Sequence, residues 1–132
     1  DFRTLFVQAA DAGEFELLDA VQERRLLDAE LLLHRLLSSG KSPFLLITLI
    51  FKAYLQCLLV RLLLDSGLHA DDVQARLDLK KWTFGKHLRV ARVCTATDLR
   101  RKVAAILRAD SQLKHRSLGA DCIFGELLQQ LA

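Results

Sequence analysis

Apolar residues dominate one long stretch, Pro43 to Asp65 (PFLLITLIFKAYLQCLLVRLLLD), with amphipathic segments on both sides. The stretch predicts a helix of about six turns. Ser42 can cap its start, Pro43 suits the first turn, and Gly67 stands just past its end where a left-handed residue is wanted. A membrane span needs about 20 mostly apolar residues. Here Lys52, Gln56 and Arg61 interrupt the run. At 100° per residue Thr48, Lys52 and Gln56 form one polar stripe, and Tyr54, Arg61 and Asp65 form another, roughly opposite. A helix apolar nearly all round belongs inside a bundle. Its polar stripes then need partners, either in neighbouring helices or in another chain.

The flanking segments follow helical period. Asp1 to Ala10 reads as a short helix and Asp11-Ala12-Gly13 as a break. Glu14 to Gln22 places Phe15, Leu18 and Val21 inward. Leu26 to Leu37 is an amphipathic helix with Leu27, Leu31, Leu33 and Leu37 among its apolar residues. After the central helix come a short acidic-fronted helix over His69–Asp78 and a basic helix from Trp82 to Cys94. A helix opened by a Thr95–Asp98 capping box runs to His115, with Leu99, Val103, Ile106, Leu107 and Leu113 inward. Asp110 falls among these inward positions, and Lys114 is its partner one turn on. Asp121 to Leu131 closes the chain. No strand alternation, glycine-rich phosphate loop or internal repeat is present. The expectation is an all-α bundle of about seven helices around a long buried central helix.

Composition agrees: 52% of the 132 residues are hydrophobic, and there are only one Pro and six Gly. The chain opens on Asp1-Phe2-Arg3-Thr4-Leu5-Phe6 and contains no Met, which reads as a fragment of a longer protein. Residues 1–13 are expected to be a linker helix or the tail of a preceding domain, and 14–132 the helical domain. Cys57, Cys94 and Cys122 are far apart and lie in apolar surroundings, so they read as small buried hydrophobes in a reducing, cytoplasmic compartment.

Charge is unevenly spread. Residues 1–79 hold 8 basic and 12 acidic side chains, net −4; residues 80–116 hold 11 and 2, net +9. A local field of this size suits contact with phosphates through Lys80, Lys81, Lys86, Arg89 and Arg92. Residues 70–95 also have the outline of a helix-turn-helix, with Trp82 at the start of the second helix and Asp78-Leu79 where a turn glycine is usual. A stand-alone DNA-binding module is therefore the alternative reading. The scattered histidines (His34, His69, His87, His115) have no metal-ligand spacing, and nothing marks an activated thiol or a catalytic acid–base pair. No metal, cofactor or enzymatic activity is expected. Lys52, Tyr54, Gln56 and Arg61 are the candidates for a subunit interface, from their polarity on an apolar helix.

The order of several short stretches resembles a known family. They are Phe15-Glu16-Leu17-Leu18-Asp19-Ala20, the Leu-rich helix to Leu37, Ser39-Gly40-Lys41-Ser42-Pro43, and Lys52-Ala53-Tyr54-Leu55. Then follow Ala70-Asp71-Asp72-Val73 to Leu79, Lys80-Lys81-Trp82, and Thr97-Asp98-Leu99 through Ala109-Asp110-Ser111-Gln112-Leu113-Lys114. Together, over residues 5–132, they are similar to the C-terminal domain of the delta subunit of bacterial DNA polymerase III, a part of the sliding-clamp loader. The family's Glu-Ala-Asp…Leu-Lys pattern is here Arg108-Ala109-Asp110…Leu113-Lys114, and its usual glycine near 78 is Asp78. The resemblance implies an all-helical collar domain that joins the gamma/tau and delta-prime type subunits into a ring and has no polymerase or ATPase site. It implies clamp contact through a separate N-terminal domain, and it places segment 80–116 near primer–template DNA. No membrane role is implied.

Overall fold

The computed structural model describes residues 11–115 and 119–132, so the helix expected over residues 1–10 lies outside it. Among the described residues the fold is all-α, with seven helices. They are α1 (Ala12–Gln22), α2 (Leu26–Ser38), α3 (Pro43–Asp65), α4 (Ala70–Leu77), α5 (Lys81–Val93), α6 (Ala96–His115) and α7 (Ala120–Leu131).

Helix α3 is the axis. Ser42 Oγ accepts from the N–H groups of Phe44 and Leu45, and Pro43 fills the first turn. At its other end Gly67 takes φ 102°. The N–H of Gly67 then reaches Leu64 O and that of Leu68 reaches Leu63 O, which satisfies two otherwise orphaned carbonyls. Length and composition alone would let α3 cross a membrane, but half of its apolar stretch is buried against other helices. It packs against α1, α4, α5 and α6, while α2 and α7 close the bundle from behind α1 and α6.

Two cores hang on this axis. The larger joins α1, α2, α6 and α7 to the first four turns of α3 through Leu17, Leu46, Ile50, Tyr54, Ile106 and Phe124. The smaller surrounds the C-terminal turns of α3, where Val60 meets Val73 of α4 and Phe84 and Ala91 of α5. The basic helix α5 is thus seated on the end of α3.

Two residues expected to face inward, Phe15 and Leu107, are exposed, and so are the apolar Leu27 and Leu31 of α2. Helix α2 carries more leucines than one face can bury, and the wheel sets Leu27 opposite Ala29, which takes the core position. Cys57 and Cys94 are buried as expected, but Cys122 is exposed on the outer side of α7. The stretch expected to be a break, Asp11-Ala12-Gly13, is instead the N-terminus of α1. Asp11 Oδ1 accepts from the Glu14 N–H at 3.0 Å and Glu14 Oε2 accepts from the Asp11 N–H at 2.9 Å.

Candidate partner and nucleic-acid surface

Helices α1 and α5 lie side by side and run in the same direction, joined by a ladder of side chains. On α1 the spacing 15, 19, 22 makes one stripe; on α5 residues 82, 86, 89 and 93 make another. The rungs come in order. The rings of Phe15 and Trp82 meet edge to face with centroids 6.5 Å apart. Asp19 Oδ1 accepts from Lys86 Nζ at 2.6 Å. Gln22 Nε2 stands 3.2 Å from His87 Nδ1. Arg24 Nη2 donates to Cys94 Sγ at 3.6 Å. Lys86 Nζ also lies 3.7 Å from the centre of the Trp82 ring, so a cation–π contact adds to its ion pair.

His87 sits in the wall between this seam and α3. Its Nε2 faces Gln56 Oε1 at 2.8 Å, and its Nδ1 faces Gln22 Nε2 and lies 3.6 Å from Cys57 Sγ. The partners assign the tautomer: Nε2–H donates to Gln56, and Nδ1 accepts from Gln22. Burial, with a smaller push from the Lys86 charge, lowers its pKa to about 4, so the ring is neutral. Burial also pushes the Cys57 thiol up to about 12, and that sulfur is a packing group rather than a nucleophile.

The structure does not gather the expected interface residues on one surface. Tyr54 is 2% exposed; its hydroxyl donates toward Val21 O at 3.5 Å. It is an interior residue because α1 covers that side of α3. Gln56 is held by His87. Arg61 donates to Ala91 O at 2.8 Å and to Asp65 Oδ1 at 2.7 and 2.9 Å, which ties α3 to α5. Lys52 is half-buried. Tyr54, Gln56 and Arg61 are therefore engaged within the chain.

The basic residues split into two sets. Lys86 is committed to Asp19 and Trp82, while Lys80, Lys81, Arg89 and Arg92 are exposed. Lys81 and Arg92 share an outer line on α5, whereas Arg89 turns toward α1. Helix α6 adds exposed Arg100, Arg101 and Arg108, which belong to the same +9 segment but were not among the expected phosphate contacts. Asp110 and Lys114 form an ion pair of 2.9 Å. The Thr95 N–H and hydroxyl beside Asp98 hold its carboxyl below the usual range, as a capping box does. Among the described residues no three His, Cys, Asp or Glu side chains are grouped to hold a metal ion.

The cluster of buried His87 with half-buried Gln22 and Gln56 is not expected from the sequence. One signal for it exists: His87 falls at the 84, 87, 91, 94 spacing of the inner face of α5. Its neighbours Lys86, Arg89 and Arg92 mask that signal, because they make the helix look solvated all along its middle.

The family model for the C-terminal domain of the DNA polymerase III delta subunit matches residues 12–131. Among solved structures, the Bacillus subtilis DNA clamp loader delta protein YqeN is similar with a TM-score of 0.75 at 18% identity. The match covers 90% of this chain and 35% of that one, so the chain spans about a third of the length of that relative. No curated protein matches significantly.

Proposed function

The chain belongs to the family formed by the C-terminal domain of the DNA polymerase III delta subunit, and from that membership we propose that it acts as the collar that holds clamp-loader subunits together. The observation that carries this reading is the family match over nearly the whole described chain, joined to an all-helical fold like that of a clamp-loader delta protein. Its partners are then the gamma/tau and delta-prime type subunits, and its place is the bacterial cytoplasm, where replication proteins work. The domain serves assembly, not catalysis. Exposed apolar residues support a surface of this kind: Leu27 and Leu31 on the outer side of α2 and Leu107 on α6 are large side chains open to solvent.

A second role follows from the charge. The exposed Lys80, Lys81 and Arg92, extended by Arg100, Arg101 and Arg108, form a basic surface suited to phosphates of primer–template DNA, whereas Arg89 turns toward α1. Exposed Trp82 adds an aromatic face at its edge. The stand-alone helix-turn-helix reading is weaker. The side of α5 that begins with Trp82 turns toward α1, and Lys86 is already paired there. A reader helix needs that side free to enter a groove.

The test of the collar is assembly. Mixing the chain with the other loader subunits should give one heteromeric peak by size-exclusion chromatography with light scattering. A chain that elutes alone at micromolar concentration, yet binds DNA at low salt, would overturn the collar reading.

A further inference from the structure

Along the seam between α1 and α5, Asp19, Glu23 and Arg24 on one side and Arg89, Val90 and Val93 on the other line an open groove of about 380 Å³, within the usual range of ligand clefts. Its floor is Val90 and Val93, and Val93 is 69% exposed. Its walls carry Arg24 and Arg89. The two acids at its rim are already engaged, Asp19 with Lys86 at 2.6 Å and Glu23 with Arg25 at 2.9 Å. Among the described residues Arg24 and Arg89 have no carboxylate partner, and the side-chain contact of Arg24 is the Cys94 sulfur.

The backbone at Arg24 adds a second, independent observation. Among the described residues four helix ends close in the same way, with paired N–H bonds to the last turn around a left-handed residue. Gly40 and Gly67 serve at two of them, and Asp78, of a type that tolerates this conformation, at a third. The fourth is Arg24, at φ 61°. Glycine is the residue the backbone favours there. Arginine keeps this strained position while its side chain lines the groove and one guanidinium nitrogen donates to Cys94 Sγ, and backbone strain of this kind clusters where a side chain is needed.

We propose that this groove docks a short peptide segment of another protein that carries a carboxylate next to a large apolar side chain. The apolar side chain lies on Val90 and Val93, and the carboxylate is taken by the forks of Arg24 and Arg89. A nucleic-acid backbone fits less well, because the floor is apolar and Asp19 and Glu23 border it. The inference does not depend on the collar reading, and it involves a different surface from the outer leucines.

The probe is a fluorescein-labelled peptide, Gly-Ser-Asp-Glu-Leu-Phe, titrated with the 132-residue chain and followed by polarisation. The controls are Gly-Ser-Asn-Gln-Leu-Phe with an amidated end, Gly-Ser-Asp-Glu-Ser-Ser, and a twelve-residue oligothymidine. The acidic apolar peptide should bind at least tenfold tighter than either peptide control. The Arg24→Gly variant should lose binding at least fivefold while its thermal midpoint holds or rises, since glycine relieves the backbone. Arg89→Ala should weaken binding with the fold intact. Three results overturn the proposal: equal binding of the neutral peptide, binding of the oligothymidine in competition with the peptide, or an Arg24→Gly variant that is less stable yet binds as well as the original chain. Absence of peptide binding up to 1 mM, about the weakest association such a docking could have, also overturns it.

Discussion

His87 shows how one side chain can set the response of the whole fold to pH. It is buried and neutral, with a pKa of about 4 in place of the ordinary 6.5. The unfolded chain takes up this proton as pH falls below about 6.5, whereas the folded one resists until about 4. Between those values the unfolded state binds more protons, so stability falls as pH falls. The full difference is on the order of 3 kcal/mol. Urea midpoints at pH 7.5, 6.0 and 4.5 should show this loss, and a His87→Gln variant should show less of it than the original chain. Equal pH dependence in the two would mean that the ring is protonated in the folded protein or that its site opens readily. The side chains in contact with the ring, Gln22, Gln56 and Cys57, come from two other helices. Their convergence on residue 87 has no trace in local sequence.

At the scale of the elements, helix ends carry the most legible information. Ser42-Pro43 and Gly67 mark the limits of α3, and Thr95 with Asp98 marks the start of α6; the structure uses each in that way. Asp11 with Glu14 carries the same signal, but Gly13 between them reads as a break. A glycine in the first turn costs little when both capping bonds form. The same substitution should have opposite signs at two glycines. Gly67→Ala puts a Cβ on a residue at φ 102°, with open space around it, and should cost about 1–2 kcal/mol for the backbone alone. Gly85 lies inside α5, also in open space, and Gly85→Ala should stabilise by about 0.5–1 kcal/mol. Chemical denaturation of both variants checks the pair. A stabilised Gly67→Ala would mean that the end of α3 closes by another geometry.

Across the whole molecule, packing divides the charge that looks continuous along the chain. The +9 of residues 80–116 is not one unbroken patch. Lys86 and Lys114 are neutralised by Asp19 and Asp110, Arg89 turns to the groove, and the remainder is spread over the outer lines of α5 and α6. Lys86→Glu is therefore a poor probe of DNA contact, since it sets like charges together at Asp19 and loosens the α1–α5 seam. The triple change Lys80→Glu, Lys81→Glu, Arg92→Glu leaves that seam alone. It should weaken low-salt binding to primer–template DNA, lower the salt slope in proportion to the phosphates lost, and leave co-elution with loader subunits unchanged. Undiminished DNA binding in this variant would remove the outer line of α5 from the proposed contact.

The sequence by itself determined the fold class, the long central helix and its limits, the two-part charge distribution and the order of short stretches that marks the family. These are properties of local period, capping and composition, which are written along the chain. Tertiary structure decided which polar groups were spent inside. Tyr54, Gln56 and Arg61, interface candidates from their polarity, find partners within the chain in Val21, His87 and Ala91; Tyr54 is buried, and Gln56 and Arg61 are half-buried. It also decided which leucines were left outside, since a helix as rich in leucine as α2 has more apolar positions than a single neighbour can cover. Both depend on how helices far apart in sequence face one another, and side-chain pairing at separations of 30 residues or more follows from that packing.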